Sequence, residues 1–313
     1  MRLLLKLLLL LLPMQLFAQT RVVFTPQWTA QSQFAGYYVA LEKGFYKSAG
    51  LDVEILHPSA SSPAVNSIKA GECDIVSMQL LHAMVEVSNG FELVHVMQTS
   101  QHSGLQVISR DNSIKTFEDL RGKRVGIWKS GFGGLAKLPD VDMNLGIEWV
   151  PFIQNINLFL SGAIDATLAM SYSEALKIKA AGFEDVPVIS FSGTVYDFPD
   201  DGLFVTREYY EKNSRIVDAF VEESRRGWEW VRENVDEAVD IVLEYTKREN
   251  VATNRTIQKW MLEEVLRLQS SDGCSKPTFN FDKKTFETMD SIALKNGLLK
   301  RSVSYEEMKG GKR

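Results

Sequence analysis

Aromatic and amide side chains fall just beyond short apolar runs at several places in this chain. Trp28 follows Arg21-Val22-Val23-Phe24-Thr25, with Gln31, Gln33, Phe34 and Tyr37 close behind. Gln79 follows Asp74-Ile75-Val76-Ser77-Met78. Trp128 closes Arg124-Val125-Gly126-Ile127-Trp128 and leads into Ser130, Gly131 and two further glycines, Gly133 and Gly134. Tyr172 and Glu174 come just after Met170, and Tyr196 and Asp197 just before Pro199. An aromatic face can cover a flat ring, while amides, hydroxyls and carboxylates set hydrogen bonds at its edge. Backbone N–H groups freed by glycines suit an anion or a carbonyl. The chemistry offered is therefore recognition of a small polar ring. The candidate contacts are Trp28, Gln31, Phe34, Tyr37, Gln79, Trp128, Ser130, Gly131, Tyr172, Glu174, Tyr196 and Asp197.

Structural roles compete for the same residues. Trp28 and Trp128 would serve equally as packing between two lobes. Tyr37 and Tyr38 are consecutive, so at most one of them faces a pocket. Glu174 at a helix start would stabilise the helix dipole without any ligand.

Motifs for bond-breaking chemistry are missing from the sequence. It contains neither Gly-x-Ser-x-Gly nor a Walker-type phosphate loop. His57, His82, His95 and His102 are scattered and have no zinc spacing. His82, inside Leu80-Leu81-His82-Ala83-Met84, reads as a core histidine, and His57, beside Pro58, as an exposed loop histidine. Glu222-Glu223 and Glu263-Glu264 read as solvated helix faces. No catalytic residue, metal or cofactor is expected.

The elements that must carry these residues alternate. A strand over Arg21–Thr25 precedes a helix from Gln33 to Lys43, stopped by Gly44; Leu51, Val53 and Ile55 then alternate as a strand. Ser62-Pro63 reads as the start of a helix that Gly71 closes, and Asp74–Met78 as a buried strand. This order predicts βαβ units and a largely parallel sheet. Asn66…Gly71…Asp74 recurs as Asn157…Gly162…Asp165, each copy a helix, a glycine stop and an aspartate entering a buried strand. Two lobes of similar build follow: residues 19–107 with 203–313, and residues 108–202. The stretch from Ser192 to Asp201 reads as the return hinge. Beyond it the pattern becomes long amphipathic helices, with Asn234-Val235-Asp236-Glu237 as a capping box and a frayed polar tail from Tyr305 to Arg313.

Composition limits the partners. The chain has 313 residues, 45% of them hydrophobic, and a formal net charge of -5. It is too apolar for a disordered protein and carries no basic surplus for nucleic acid. Residues 1–18 hold Arg2, Lys6 and an apolar run of leucines, the layout of a signal peptide, with Ala18 before the cut. No cysteine near the cut indicates a lipid anchor. Export across the membrane is expected. Cys73 and Cys274 alone cannot build a disulfide framework; two unpaired thiols are the simpler expectation.

The stretch Gln33-Phe34-Ala35-Gly36-Tyr37-Tyr38-Val39-Ala40-Leu41-Glu42-Lys43-Gly44-Phe45-Tyr46, continuing to Ala49-Gly50-Leu51-Asp52-Val53, resembles the opening of NMT1/THI5-like solute-binding proteins of ABC transporters. Ala70-Gly71-Glu72-Cys73-Asp74-Ile75 and Leu120-Arg121-Gly122-Lys123-Arg124-Val125-Gly126 resemble the wider class. The resemblance covers the mature chain. It implies an α/β, two-lobed type II periplasmic-binding-protein fold, with a central mixed sheet in each lobe flanked by helices, a hinge of two crossovers and the ligand between the lobes. Relatives bind pyrimidine precursors of thiamine, riboflavin-like compounds or alkanesulfonates. Their ring-stacking aromatic falls on Trp28, and their Tyr-Asn-Glu motif on Tyr172-Ser173-Glu174, with Ser173 in place of Asn. The implied protein is a monomer that delivers a pyrimidine-like solute to an ABC permease and ATPase. The same ligand chemistry would serve a sensor acting on a membrane kinase. The family also implies fungal thiamine-pyrimidine synthases, whose cysteine cluster this chain lacks.

Overall fold

The computed structural model describes residues 19–58, 63–129, 133–152, 156–270, 276–280 and 282–309. The expected signal peptide, Ser62, Ser130, Gly131 and Cys274 lie outside the described residues. Cys73 is a buried free thiol, and burial pushes its pKa up to about 11.

Among the described residues, ten strands form two five-stranded sheets. The first contains β1 (Thr20–Thr25), β2 (Leu51–Ile55), β3 (Ile75–Gln79), β4 (Leu93–Gln98) and β10 (Asp201–Thr206), in the order β2-β1-β3-β10-β4. The second contains β5 (Leu105–Ser109), β6 (Arg124–Trp128), β7 (Glu148–Phe152), β8 (Ala166–Met170) and β9 (Val188–Ser190), in the order β7-β6-β8-β5-β9. The local pattern alone predicts largely parallel sheets, whereas the family resemblance implies mixed ones. Each sheet is mixed: β10 runs antiparallel to β3 and β4, and β5 antiparallel to β8 and β9. These two are the strands that the chain enters on crossing from the other sheet, so each arrives from the opposite end.

The internal repeat has a physical basis. Asp74 accepts from the Val23 N–H at 2.8 Å and returns its own N–H to the Val23 carbonyl at 2.9 Å. Asp165 does the same to Arg124, at 2.7 Å and 2.9 Å. Each aspartate thereby locks a central strand to its parallel neighbour, β3 to β1 and β8 to β6. The glycine before each, Gly71 and Gly162, takes a positive φ of 70° and 75° to turn the chain off its helix. β3 and β8 are buried throughout, as central strands covered on both faces must be.

The first lobe is buttressed by helix Arg207–Glu233, which lies across helix Ala35–Glu42. The two backbones nearly touch. A Cβ on Gly227 would fall 2.1 Å from the Gly36 carbonyl oxygen, and one on Gly36 would fall 2.3 Å into Trp228. No helix among the described residues is long and apolar enough to cross a membrane.

Two local expectations fail. Asn234 does not cap the helix Val235–Arg248: its side-chain amide donates back to the Trp230 carbonyl, completing the preceding helix instead. The tail is not frayed as far as Lys309. Met308 is fully buried, Arg207 donates to the Glu307 carbonyl, and Lys309 bridges to His95 on edge strand β4, which the tail thereby covers.

Candidate functional site

The chain crosses between sheets twice, over residues 99–104 and 191–200, and the two crossovers are stitched side by side. The Thr99 N–H donates to the Asp201 carbonyl at 2.7 Å and the Ser100 hydroxyl accepts from the Asp201 N–H at 2.9 Å. Asp200 accepts from the Gly104 N–H at 2.6 Å, and Asp197 from the Ser103 N–H at 2.8 Å. Gly104 leaves room for the second lobe: a Cβ there would lie 2.9 Å from the Tyr172 ring.

A cleft opens beside these crossovers. The first lobe lines it with Gln27, Trp28, Gln31 and Gln33, the second with Trp128, Met170, Tyr172, Ser173 and Glu174. The space between them is about 340 Å³, part of it open to solvent.

Each wall is fixed from behind. The Gln27 N–H donates to the Ser77 hydroxyl at 2.8 Å. The Trp28 carbonyl lies 2.6 Å from His57 Nδ1, and His57 Nε2 lies 2.8 Å from the Tyr38 hydroxyl. A carbonyl only accepts, so Nδ1 carries the proton and Nε2 accepts from Tyr38. Burial lowers the His57 pKa, which favours this neutral form. In the other wall, Trp128 ends β6 and leans on Phe152 with ring centroids 5.5 Å apart. Glu174 opens helix Glu174–Ala180 and accepts from the Met170 N–H at 3.1 Å.

Behind the cleft lies a buried polar row. Gln31 Nε2 donates to Gln33 Oε1 at 2.6 Å. Gln33 Nε2 donates to Asp201 Oδ2 at 2.8 Å and to the Tyr172 hydroxyl, across the lobes, at 3.2 Å. Gln27 Nε2 also donates to Asp201. Burial pushes the Asp201 pKa up to about 6 against these hydrogen bonds, and its neighbour Asp200 well above the usual carboxylate range. No lysine or arginine among the described residues lines the cleft. Among the described residues no group of three or more His, Cys, Asp or Glu side chains could hold a metal ion.

Five of the residues singled out in the sequence meet here: Trp28, Gln31, Trp128, Tyr172 and Glu174. Others sit elsewhere. Phe34 and Tyr37 are core side chains, Phe34 against His57 and Tyr37 between Phe24 and Trp228. Gln79 is buried in register with Asp201 at the end of β3. Tyr196 turns away to the Asp142 carboxylate at 3.0 Å, and Asp197 binds the crossover, holding His102 Nδ1 at 2.7 Å. Ser130 and Gly131 lie outside the described residues.

Sequence reasoning missed Gln27 and Met170; Gln33, Ser173 and Asp201 stand in stretches that it singled out but were not among its candidate contacts. It also misread His57, which is half-buried behind Trp28 rather than exposed. Its partners are a carbonyl and a phenol, neither of which forms a motif with it. The paired acids Asp200-Asp201 entering a buried strand were the one available signal.

Comparison with known proteins places this geometry. The family model described as NMT1/THI5 like matches residues 31–238. A Haemophilus influenzae protein named for thiamine biosynthesis is 23% identical, over 95% of this chain and 94% of its own. The riboflavin-binding protein RibY of Chloroflexus aurantiacus is 23% identical over 79% of this chain and 72% of its own. A 4-amino-5-hydroxymethyl-2-methylpyrimidine phosphate synthase of Candida albicans is 22% identical over 51% of this chain and 49% of its own. Among solved structures, the periplasmic aliphatic sulphonate binding protein SsuA of Escherichia coli superposes with a TM-score of 0.67 at 14% identity, over 93% of this chain and 97% of that chain. The two-lobed architecture is that of periplasmic binding proteins.

Proposed function

The chain belongs to the NMT1/THI5-like family, and on that basis we propose that it is an exported solute-binding protein that captures a small pyrimidine-like ring between its lobes and delivers it to an ABC importer. The observation that carries this reading is the pairing of Trp28 and Trp128, one from each lobe, on one cleft edged by amide, hydroxyl and carboxylate groups. Two indoles suit the faces of a flat ring, and the polar groups suit its edge. Acidic neighbours, and no lysine or arginine among the described lining residues, make the cleft a poor match for a sulfonate. The ligand would favour the closed state by touching both walls, and closure would present the joined lobes to the transporter.

The fungal names favour a second reading, a pyrimidine synthase. It fits less well, because those proteins match between 34% and 51% of this chain, and the cysteine cluster that the family resemblance implies for such enzymes is not in this sequence. Native mass spectrometry of protein purified without refolding from the cells that export it tests the ligand class. A bound neutral or weakly basic nitrogen heterocycle is expected; a tightly held sulfonate or phosphate would overturn the proposal.

A further inference from the structure

We infer that Asp201 sets the polarity of the cleft: it holds the three glutamines with their nitrogens turned inward, so that the site selects rings carrying N–H donors over rings of the same shape without them. The inference rests on the ring-binding reading above and deepens it.

The chemistry runs one way along the row. An ionised carboxylate accepts and cannot donate, so each amide facing Asp201 must present its nitrogen. Gln27 and Gln33 both do, and both are within hydrogen-bond reach of the carboxylate. With its nitrogen committed there, Gln33 has only Oε1 to offer Gln31, at 2.6 Å, so Gln31 too must turn its nitrogen inward. An amide nitrogen placed inward leaves its oxygen for the other side. Gln27 and Gln31, which line the cleft, thus keep their carbonyl oxygens for a ligand, each beside one remaining N–H. Glu174 adds a carboxylate from the second lobe, one oxygen of which is held by the Met170 N–H. These groups bring acceptors to the front of a site that also holds the Tyr172 and Ser173 hydroxyls, and its back is one fixed charge. That charge is buried, and it draws on two polar side chains of its own lobe, Gln27 and Gln33.

The consequence is specificity through orientation. A ring with an exocyclic amino group can donate to these oxygens. A ring with a methyl group in that place leaves them desolvated and unpaired, at a cost of roughly a hydrogen bond. Were Asp201 replaced by an amide, the row could run in either direction, and the glutamines could turn nitrogens outward.

Calorimetric titration with two probes tests this: 4-amino-5-hydroxymethyl-2-methylpyrimidine, and the analogue whose amino group is replaced by methyl. The full chain is expected to prefer the amino ring by roughly tenfold, the scale of one such hydrogen bond. In Asp201→Asn that preference should shrink to within about threefold, by weaker binding of the amino ring and unchanged or tighter binding of the methyl ring. Gln27→Met, which removes one front oxygen and leaves Asp201 in place, should also lower the preference and guards against a variant that fails to fold. Equal affinity of the natural chain for both rings overturns the inference while leaving the ring-binding proposal standing. An undiminished preference in both variants also overturns it. Binding of neither ring overturns both readings.

Discussion

Gln33 Nε2 lies 2.8 Å from the Asp201 carboxylate and 3.2 Å from the Tyr172 hydroxyl, so one amide ties the first lobe's own crossover strand to the wall of the second lobe. This contact ranks high because it is buried. A neutral hydrogen bond contributes about 0.5–1.5 kcal/mol net, but a buried group left without its partner costs more. Closure of the lobes and orientation of the site therefore meet in one side chain.

The first prediction is a loss of cross-lobe coupling. Tyr172→Phe keeps the packing against Gly104 and removes the hydroxyl that Gln33 reaches. Small-angle scattering should show a more open average shape for the variant, and ring affinity should fall by roughly 2- to 10-fold. An unchanged scattering profile with unchanged affinity would show that the contact has no part in closure.

A pH dependence follows from the two buried acids. Burial raises the Asp201 pKa to about 6, and raises Asp200 further, partly through the charge of Asp201. A group that holds its proton more tightly when folded lends stability below its unfolded pKa, and this is lost as pH rises through the folded value. Through Asp201, stability should thus fall between about pH 4 and pH 6. For Asp201 alone the loss is at most about 3 kcal/mol, from roughly two pKa units at ~1.4 kcal/mol each. Urea unfolding of the natural chain and Asp201→Asn at both ends of that window checks it. The variant should lose less stability on going to neutral pH; an equal loss in both proteins would contradict the assignment.

His57 supports Trp28 through its backbone. His57→Ala leaves the Trp28 carbonyl and the Tyr38 hydroxyl without their shared partner. Unfolding free energy should drop by about 1–3 kcal/mol, and ring binding should weaken because the Trp28 loop loses its anchor. Normal stability with normal binding would mean that water takes over both bonds.

The helix crossing at Gly36 and Gly227 tolerates no side chain. Gly227→Ala would drive a methyl group onto the Gly36 carbonyl, and overpacking of this kind costs about 1–3 kcal/mol. Thermal melts should register the loss, with ring affinity almost unaffected in the folded fraction. A melting temperature equal to that of the natural chain would show that the two helices separate freely.

Much of this architecture could be read from local pattern. Alternation in Leu51–Ile55, glycine stops at Gly44 and Gly71, and the repeated aspartates Asp74 and Asp165 are short-range signals with short-range causes. The cleft residues Trp28, Trp128 and Tyr172 were legible because they follow strands, where open sheets bind ligands. The Gln33–Asp201 bond was not, because it joins groups 168 positions apart, and only the antiparallel insertion of β10 beside β3 brings them together. The docked tail was hidden for a similar reason: its polar composition describes the exposed side, while Val303 and Met308 face the core.

The central claim is that one ring lies between Trp28 and Trp128, and a double-mutant cycle by calorimetric titration tests it most directly. With 4-amino-5-hydroxymethyl-2-methylpyrimidine as the probe, Trp28→Ala and Trp128→Ala should each weaken binding by roughly 1–3 kcal/mol, the scale of base–aromatic stacking. Their effects should couple, because removing one wall releases the ring from the other. If either variant binds the probe as the natural chain does and only its melting temperature falls, the two tryptophans are packing between the lobes and the account is wrong.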